Sequence, residues 1–329
     1  MRVLSERDVL ALIEPRRLID ASAAAYRAIA DGSAEVPLRT EFIRDDVGGV
    51  VFVMPGLIGD DLLGLKLIAN RRARVGTGVE TTALVLVLDA RSLEVRGLVA
   101  ADALTDYRTA AGLAAAVDVL APARTPTHAL YGAGKLALPT ALLIQEVRSA
   151  RTLCLVGRTP ARVEALAAAL RAHPAFAAVE VRTDLGADDA AGAADLVTCV
   201  TSAEAPVFDG RRLRAGTHVT IGGAFHAGAR EIDDAVIGRA RVFTDVMSAC
   251  LERAGDLVRP LASGVLTRDR VEAEIGAVLA GTVPFARAPD DITVFKSLGA
   301  AAQDLVTADD LLTAAATAAR GTVVDLGGG

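Results

Sequence analysis

Thr127-His128-Ala129-Leu130-Tyr131-Gly132-Ala133-Gly134-Lys135-Leu136-Ala137 decides the fold. The first five residues read as a strand and the glycines as a tight turn, and the residues beyond open a helix. Gly-x-Gly-x-x-Ala therefore stands in the strand-turn-helix setting of a dinucleotide fold. Gly132 permits the turn, Gly134 lets a pyrophosphate approach the backbone, and Ala137 lets the helix lie close to the strand. Amides exposed at the helix start face the phosphates, so Gly132, Ala133, Gly134, Lys135 and Leu136 form the candidate phosphate loop.

Outward from this loop the pattern alternates. Strands are expected at 127–132, 151–157, 178–182, 195–200, 217–222 and 241–245, with helical stretches at 135–148, 160–172, 187–193 and 231–239. Six strands in such an alternation predict an α/β fold with a Rossmann-type doubly wound parallel sheet. The second strand ends in Arg158-Thr159, where an acid would chelate the ribose hydroxyls of NAD. Arg158, Thr159 and Arg162 offer guanidinium forks and a hydroxyl suited to a 2′-phosphate, so NADPH (NADP+) is the expected cofactor, with NADH possible. Thr159 as N-cap with Pro160 at N1 also serves the following helix, and the two readings are compatible. Thr109 and Thr201 complete the candidate cofactor set.

The N-terminal part has a different texture. Residues 6–31 are helical, with Ser5 as cap, Asp8 three residues on, and Pro15 splitting the run in two. Apolar runs at 50–54, 63–68 and 83–88, separated by turn signals at Pro55-Gly56, Gly59-Asp60 and 89–92, predict an antiparallel or mixed sheet. An Ala-rich helix at 103–120 leads to Pro122 and Pro126, a hinge. After Asp290-Asp291-Ile292-Thr293 the chain is expected to return to helix. The expected division is residues 1–120 with 290–329 as one domain and 121–289 as the nucleotide domain.

Composition narrows the function. The 329 residues carry 35 Lys and Arg against 41 Asp and Glu, a net charge of -6, which argues against a nucleic-acid partner. Apolar residues make up 52% but aromatics only 3%, so the core is aliphatic. Met1 to Asp8 becomes charged before any export-signal stretch, and no segment is long and apolar enough to span a membrane. Cys154, Cys199 and Cys250 read as reduced thiols, and His128, His173, His218 and His226 lack metal-ligand spacing. A cytoplasmic protein with no membrane partner and no metal is expected.

Beyond the glycine loop, several stretches carry a resemblance: Pro37-Leu38-Arg39-Thr40, Met54-Pro55, Leu65-Lys66-Leu67, Asp102-Ala103-Leu104-Thr105-Asp106-Tyr107-Arg108-Thr109-Ala110-Ala111, Glu231-Ile232-Asp233-Asp234 and Thr293-Val294-Phe295-Lys296-Ser297-Leu298-Gly299. Over nearly its whole length the chain resembles the ornithine cyclodeaminase and mu-crystallin family. The resemblance implies that both terminal segments form an α+β substrate and dimerisation domain, into which the Rossmann domain is inserted, and that the protein is a homodimer. It also implies that Arg39, Lys66 and Arg108 surround an amino-acid carboxylate and the reacting carbon.

Three departures choose among family activities. Phe52 stands where cyclodeaminases resemble one another in having Glu, Gly222-Gly223-Ala224-Phe225-His226 lacks their Asp, and Arg158 replaces their acid. What the resemblance implies is then an NADP-dependent oxidoreductase acting on CH-NH or CH-NH2 groups. It would reduce a C=N bond next to a carboxylate in a cyclic ketimine such as pyrroline- or piperideine-2-carboxylate, with Lys66 binding the carboxylate or relaying a proton. An amino-acid dehydrogenase acting on a linear 2-keto acid plus ammonia or an amine shares every motif. A non-catalytic NADPH-binding protein is a further alternative. Phe225 and His226 are candidate pocket residues, and Glu80, Thr81, Thr82 and the basic run 70–74 are candidate specificity elements without an assigned role.

Overall fold

The structure is a computed structural model that describes residues 1–37, 39–72, 79–325 and 327. The chain divides into two compact units, one of residues 1–108 with 300–329 and the other of 109–299.

The first unit is built on an eight-stranded sheet. From one edge its strands run Thr322–Val323, Arg2–Leu4, Val95–Ala100, Val79–Asp89, Leu62–Arg72, Gly49–Ile58 and Ala34–Glu35, with Thr40–Arg44 also pairing with Gly49–Ile58. All neighbours are antiparallel except Arg2–Leu4 beside Val95–Ala100. The strands run longer than their apolar runs suggest, and the expected turn at Pro55-Gly56 is instead the interior of Gly49–Ile58, where Pro55 lies opposite Leu65. Pro55 falls where neither edge strand pairs, since Thr40–Arg44 covers residues 49–53 and Ala34–Glu35 covers 57–58. The proline is tolerated there because the ladder is one-sided at that point.

One face of this sheet is covered by the helix Ala301–Thr317, against which Pro15–Ala30 also packs. Glycine sets how closely that helix approaches. Gly56 and Gly64 lie opposite each other, and a Cβ on Gly64 would sit 2.8 Å from Leu305 Cδ2 and 2.3 Å from Leu86 O. Val85, Val87, Val99, Leu104, Leu305, Ala308 and Leu311 fill the layer between. The N-terminal helices Glu6–Leu12 and Pro15–Ala30 break where Pro15 requires, and Ser5 and Asp8 form the expected capping box.

The second unit is a wholly parallel sheet with the order Glu180–Arg182, Thr152–Val156, Thr127–Tyr131, Leu196–Cys199, His218–Ile221, Ile292–Lys296, Ala240–Thr244, Val271–Glu274. The six expected strands are present, reaching out from the reversal point beside Thr127–Tyr131. Two strands escaped sequence reading. Ile292–Lys296, expected to lead directly into helix, pairs between the fifth and sixth strands, and the helix begins only at Ala301. All five of its residues are buried, so it lacks the alternation that marks a half-exposed strand. Because it belongs to the second sheet, residues 290–299 fall with the nucleotide unit rather than with the C-terminal segment. Among the described residues no helix is long and apolar enough to cross a membrane.

Candidate active site

In the first unit, three elements bring three charges together in a dry interior. Lys66 comes from the strand Leu62–Arg72, Arg108 from the helix Asp102–Leu120 and Asp304 from the first turns of Ala301–Thr317. Lys66 Nζ donates to Asp304 Oδ1 at 2.7 Å and to Thr105 Oγ1 at 2.7 Å, and Arg108 Nε donates to the same Asp304 Oδ1 at 2.9 Å. Thr105 Oγ1 donates its own hydrogen bond to Ala101 O, which leaves its oxygen an acceptor for the lysine. The Arg108 carbonyl takes long hydrogen bonds from Ser22 Oγ and Gln303 Nε2, which link it to Pro15–Ala30 and to Ala301–Thr317.

Two cations thus share one carboxylate oxygen, while Asp304 Oδ2 is buried without a hydrogen-bond partner among the described residues. The trio itself carries one excess positive charge in low dielectric, opposed only by the weaker influence of Asp106 on Lys66, and this favours an incoming anion. Burial drags the Lys66 pKa from 10.5 down to about 8; Asp304 resists this and Arg108 adds to it. Side-chain exposure is 1% for Lys66, 0% for Asp304 and 8% for Arg108, so Arg108 is the member an anion meets first.

Arg39 behaves differently. Its Nε donates to Glu41 Oε1 at 2.9 Å and its guanidinium lies 4.5 Å above the Phe52 ring, so its charge is spent on an ion pair and a cation-π contact rather than on Lys66, Arg108 or Asp304. Phe52, Met54, Lys66 and Ile68 share one sheet face through direct cross-strand pairing. Glu80 pairs with Arg71 on the opposite face, and Thr81 donates to Asn70. Of the basic run, Ala73 and Arg74 lie outside the described residues, as does Leu38 of the first motif.

In the second unit, a cavity of about 630 Å3 opens at the carboxyl ends of the parallel strands. It is lined by Gly132, Ala133 and Gly134, by Arg158, Thr159 and Arg162, and by Thr201. Gly132 has φ +113°, and a Cβ there would stand 2.6 Å from Val200 O, so only glycine makes this turn. Nothing lies within 4 Å of a Cβ built on Gly134, which leaves the backbone open to a phosphate. The donor set and the open backbone fit a dinucleotide. Lys135 and Leu136 occupy the turn before the helix Ala137–Val147 rather than its first residues, with Lys135 exposed, and Thr109 is half-buried one position after Arg108. Phe225 is 55% exposed and stacks edge-on with exposed His226.

Two groups of the site carry no distinctive local sequence signature. Asp304 stands in the opening turns of a helix, where an acid normally reads as a partner of the helix dipole. Glu231 and Lys296 were only motif letters, yet both are fully buried and bonded to each other's neighbourhood through Asp256. Acids and a lysine amid apolar residues were the available signal.

A parallel doubly wound sheet with a glycine phosphate loop, joined to a unit holding a buried lysine-arginine-aspartate cluster, defines a nucleotide-dependent α/β protein. The chain belongs to the Ornithine cyclodeaminase/mu-crystallin family, whose description it matches over residues 1–318. It is 33% identical to a Delta(1)-pyrroline-2-carboxylate reductase of Colwellia psychrerythraea over 65% of this chain and 67% of that protein. It is 29% identical to the ketimine reductase mu-crystallin of Mus musculus over 88% of each. Its structure resembles that of Thermococcus litoralis Delta(1)-pyrroline-2-carboxylate reductase in complex with NADH and L-proline, with a TM-score of 0.90 at 26% identity, covering 98% of this chain and all of that one.

Proposed function

We propose that this protein is an NAD(P)H-dependent reductase of a C=N bond next to a carboxylate, acting on a cyclic ketimine such as pyrroline- or piperideine-2-carboxylate to give an L-imino acid. The carrying observation is the under-neutralised pair of Lys66 and Arg108 on one oxygen of Asp304, which is built for a small carboxylate. The named activities of the relatives support the same reading.

When bound, NAD(P)H would supply a hydride to the imine carbon; with the nitrogen protonated, the C=N electron pair moves onto it and the product is the neutral cyclic amine. Arg108 takes the substrate carboxylate by charge-assisted hydrogen bonds and fixes the direction of the neighbouring carbon; orientation of this kind is worth several kcal/mol, of order 7–11 in the best cases. Lys66, with a pKa of about 8, is a cation at neutral pH that can hold the same carboxylate or donate a proton to the substrate nitrogen. Asp304 keeps Lys66 charged and aimed. Arg39 then plays a peripheral part, holding the hairpin over Phe52.

Arg158, Thr159 and Arg162 favour NADPH over NADH, through contacts to a 2′-phosphate. A homodimer is the assembly proposed, supported by the sheet face turned away from Ala301–Thr317, where Leu63, Leu65, Leu67, Leu84, Leu86 and Leu88 form a half-buried apolar surface suited to a second copy. Three free, buried cysteines suit a reducing cytoplasm.

Incubation with NADPH and either pyrroline- or piperideine-2-carboxylate, beside pyruvate plus amines, tests the reading. Turnover of the cyclic imines supports it. Turnover of only the linear pair assigns the protein to the amino-acid dehydrogenases instead.

A further inference from the structure

We infer that Glu231 is the positioning residue of the nucleotide site, a buried carboxylate that gathers three main-chain amides and so holds the loops after the fourth and fifth parallel strands in their binding shape. This rests on the proposed NAD(P)H reading. Glu231 Oε1 accepts from Thr201 N at 2.6 Å, and its Oε2 accepts from Gly223 N at 3.0 Å and Ala224 N at 2.8 Å. Thr201 lines the 630 Å3 cavity, and residues 222–224 close the end of His218–Ile221. One side chain therefore sets two loops against each other at the carboxyl edge of the sheet, where nucleotide binds in such folds.

The carboxylate is itself held. Glu231 N and Ile232 N donate to Asp256 Oδ1 at 2.6 and 3.1 Å, Lys296 Nζ donates to Asp256 Oδ2 at 2.8 Å, and the same ammonium donates to Ala224 O at 2.6 Å. The ring of contacts runs Glu231, Asp256, Lys296, Ala224 and back to Glu231, with Thr201 attached at Glu231, and its three charged members are each 0% exposed. Its joints admit only glycine: a Cβ on Gly223 would meet Thr201 N at 2.1 Å, and one on Gly255 would meet Ala229 O at 2.1 Å. Such crowding leaves the loops one arrangement while Glu231 accepts from both.

Geometry dictates the informative substitution. In Glu231→Gln one oxygen becomes an NH2 group, so either the Thr201 amide or the Gly223 and Ala224 amides face a donor in place of an acceptor. Because the chain has no Trp, binding is read from the fluorescence of NADPH itself. The expected result is a folded variant whose NADPH dissociation constant and cofactor KM rise roughly ten- to hundredfold while the KM for the imino acid stays put, since small misplacements cost on that scale. Glu231→Asp should recover part of the loss.

A folded Glu231→Gln with unchanged cofactor affinity and kcat overturns the inference. Amide exchange on the unsubstituted protein gives a second reading, independent of whether the variant folds. The Thr201, Gly223 and Ala224 amides should exchange slowly before any nucleotide is added, and free exchange there overturns the inference as well. If the unsubstituted protein binds neither NADPH nor NADH, the functional reading itself falls, and the inference falls with it.

Discussion

Each unit buries a lysine among charges, and the two clusters are opposites. Lys66 shares one oxygen of Asp304 with Arg108, two cations to one anion, and burial brings its pKa down to about 8. Burial also acts on Lys296, but Asp256 and Glu231 outweigh it and leave that pKa raised. The Glu231 carboxyl is pushed up by burial, against the pull of Lys296. The first cluster is short of negative charge and, among the described residues, keeps an unpartnered carboxylate oxygen; in the second, the lysine bonds one carboxylate and a carbonyl and feels the charge of a second carboxylate. The two clusters carry excess charge of opposite sign: the excess negative charge of the second is taken up by main-chain amides and so holds backbone in place, whereas the excess positive charge of the first is left for a ligand to meet.

The contrast is broken most severely at Lys66. Lys66→Met should cut turnover by about 10²–10⁴, the range of a lost acid-base group, and leave NADPH affinity nearly intact. Steady-state kinetics beside a fluorescence titration checks both halves, and a variant with normal turnover removes Lys66 from the chemistry. Next comes Asp304→Asn. Lys66 is cationic below its pKa, so kcat/KM should fall as pH rises through about 8 in the unsubstituted enzyme. Without the Asp304 charge the lysine loses its proton more readily, and the falling limb should move to lower pH. A limb that stays in place, or moves up, contradicts the assignment.

Smaller effects sharpen the picture. Arg158→Ala should weaken NADPH by about 10- to 100-fold, the scale of a hydrogen bond to a charged group, and NADH far less. Equal losses for both nucleotides argue against a 2′-phosphate contact. Gly64→Ala forces a methyl against Leu86 O and Leu305, so chemical denaturation should show a loss of about 1–3 kcal/mol, accompanied by a shift of the helix that carries Asp304. Arg39→Ala should cost least, about 0.5–1 kcal/mol, as expected for a half-exposed cation-π contact and ion pair. A collapse of turnover in that variant would restore Arg39 to the substrate site.

Sequence reading reached the fold where local signals were strong. The glycine loop and the strand-helix alternation placed the parallel sheet, and Ser5, Asp8 and Pro15 placed the first two helices. It failed where burial erases periodicity: Ile292–Lys296 is covered on both faces and shows no alternation, and Val271–Glu274 is four residues long. Pro55 misled because a proline inside a strand is tolerated only where pairing is one-sided, a tertiary fact. For the candidate site, Lys66 and Arg108 were legible as charges within apolar or motif surroundings. Asp304 was not, because its partners are 238 and 196 residues away in sequence. Glu231 was unreadable as a hub for the same reason, since its bonds go to main-chain amides that carry no side-chain signature.

The central claim is hydride delivery to the carbon beside the carboxylate. NADPH carrying deuterium at the transferring C4 position, incubated with pyrroline-2-carboxylate, should yield L-proline with one deuterium on its α carbon, as read by mass spectrometry and proton NMR. Unlabelled proline, or no turnover of pyrroline-2-carboxylate while a parallel incubation with ornithine and NAD+ gives proline and ammonia, would contradict hydride delivery and return the protein to the cyclodeaminases.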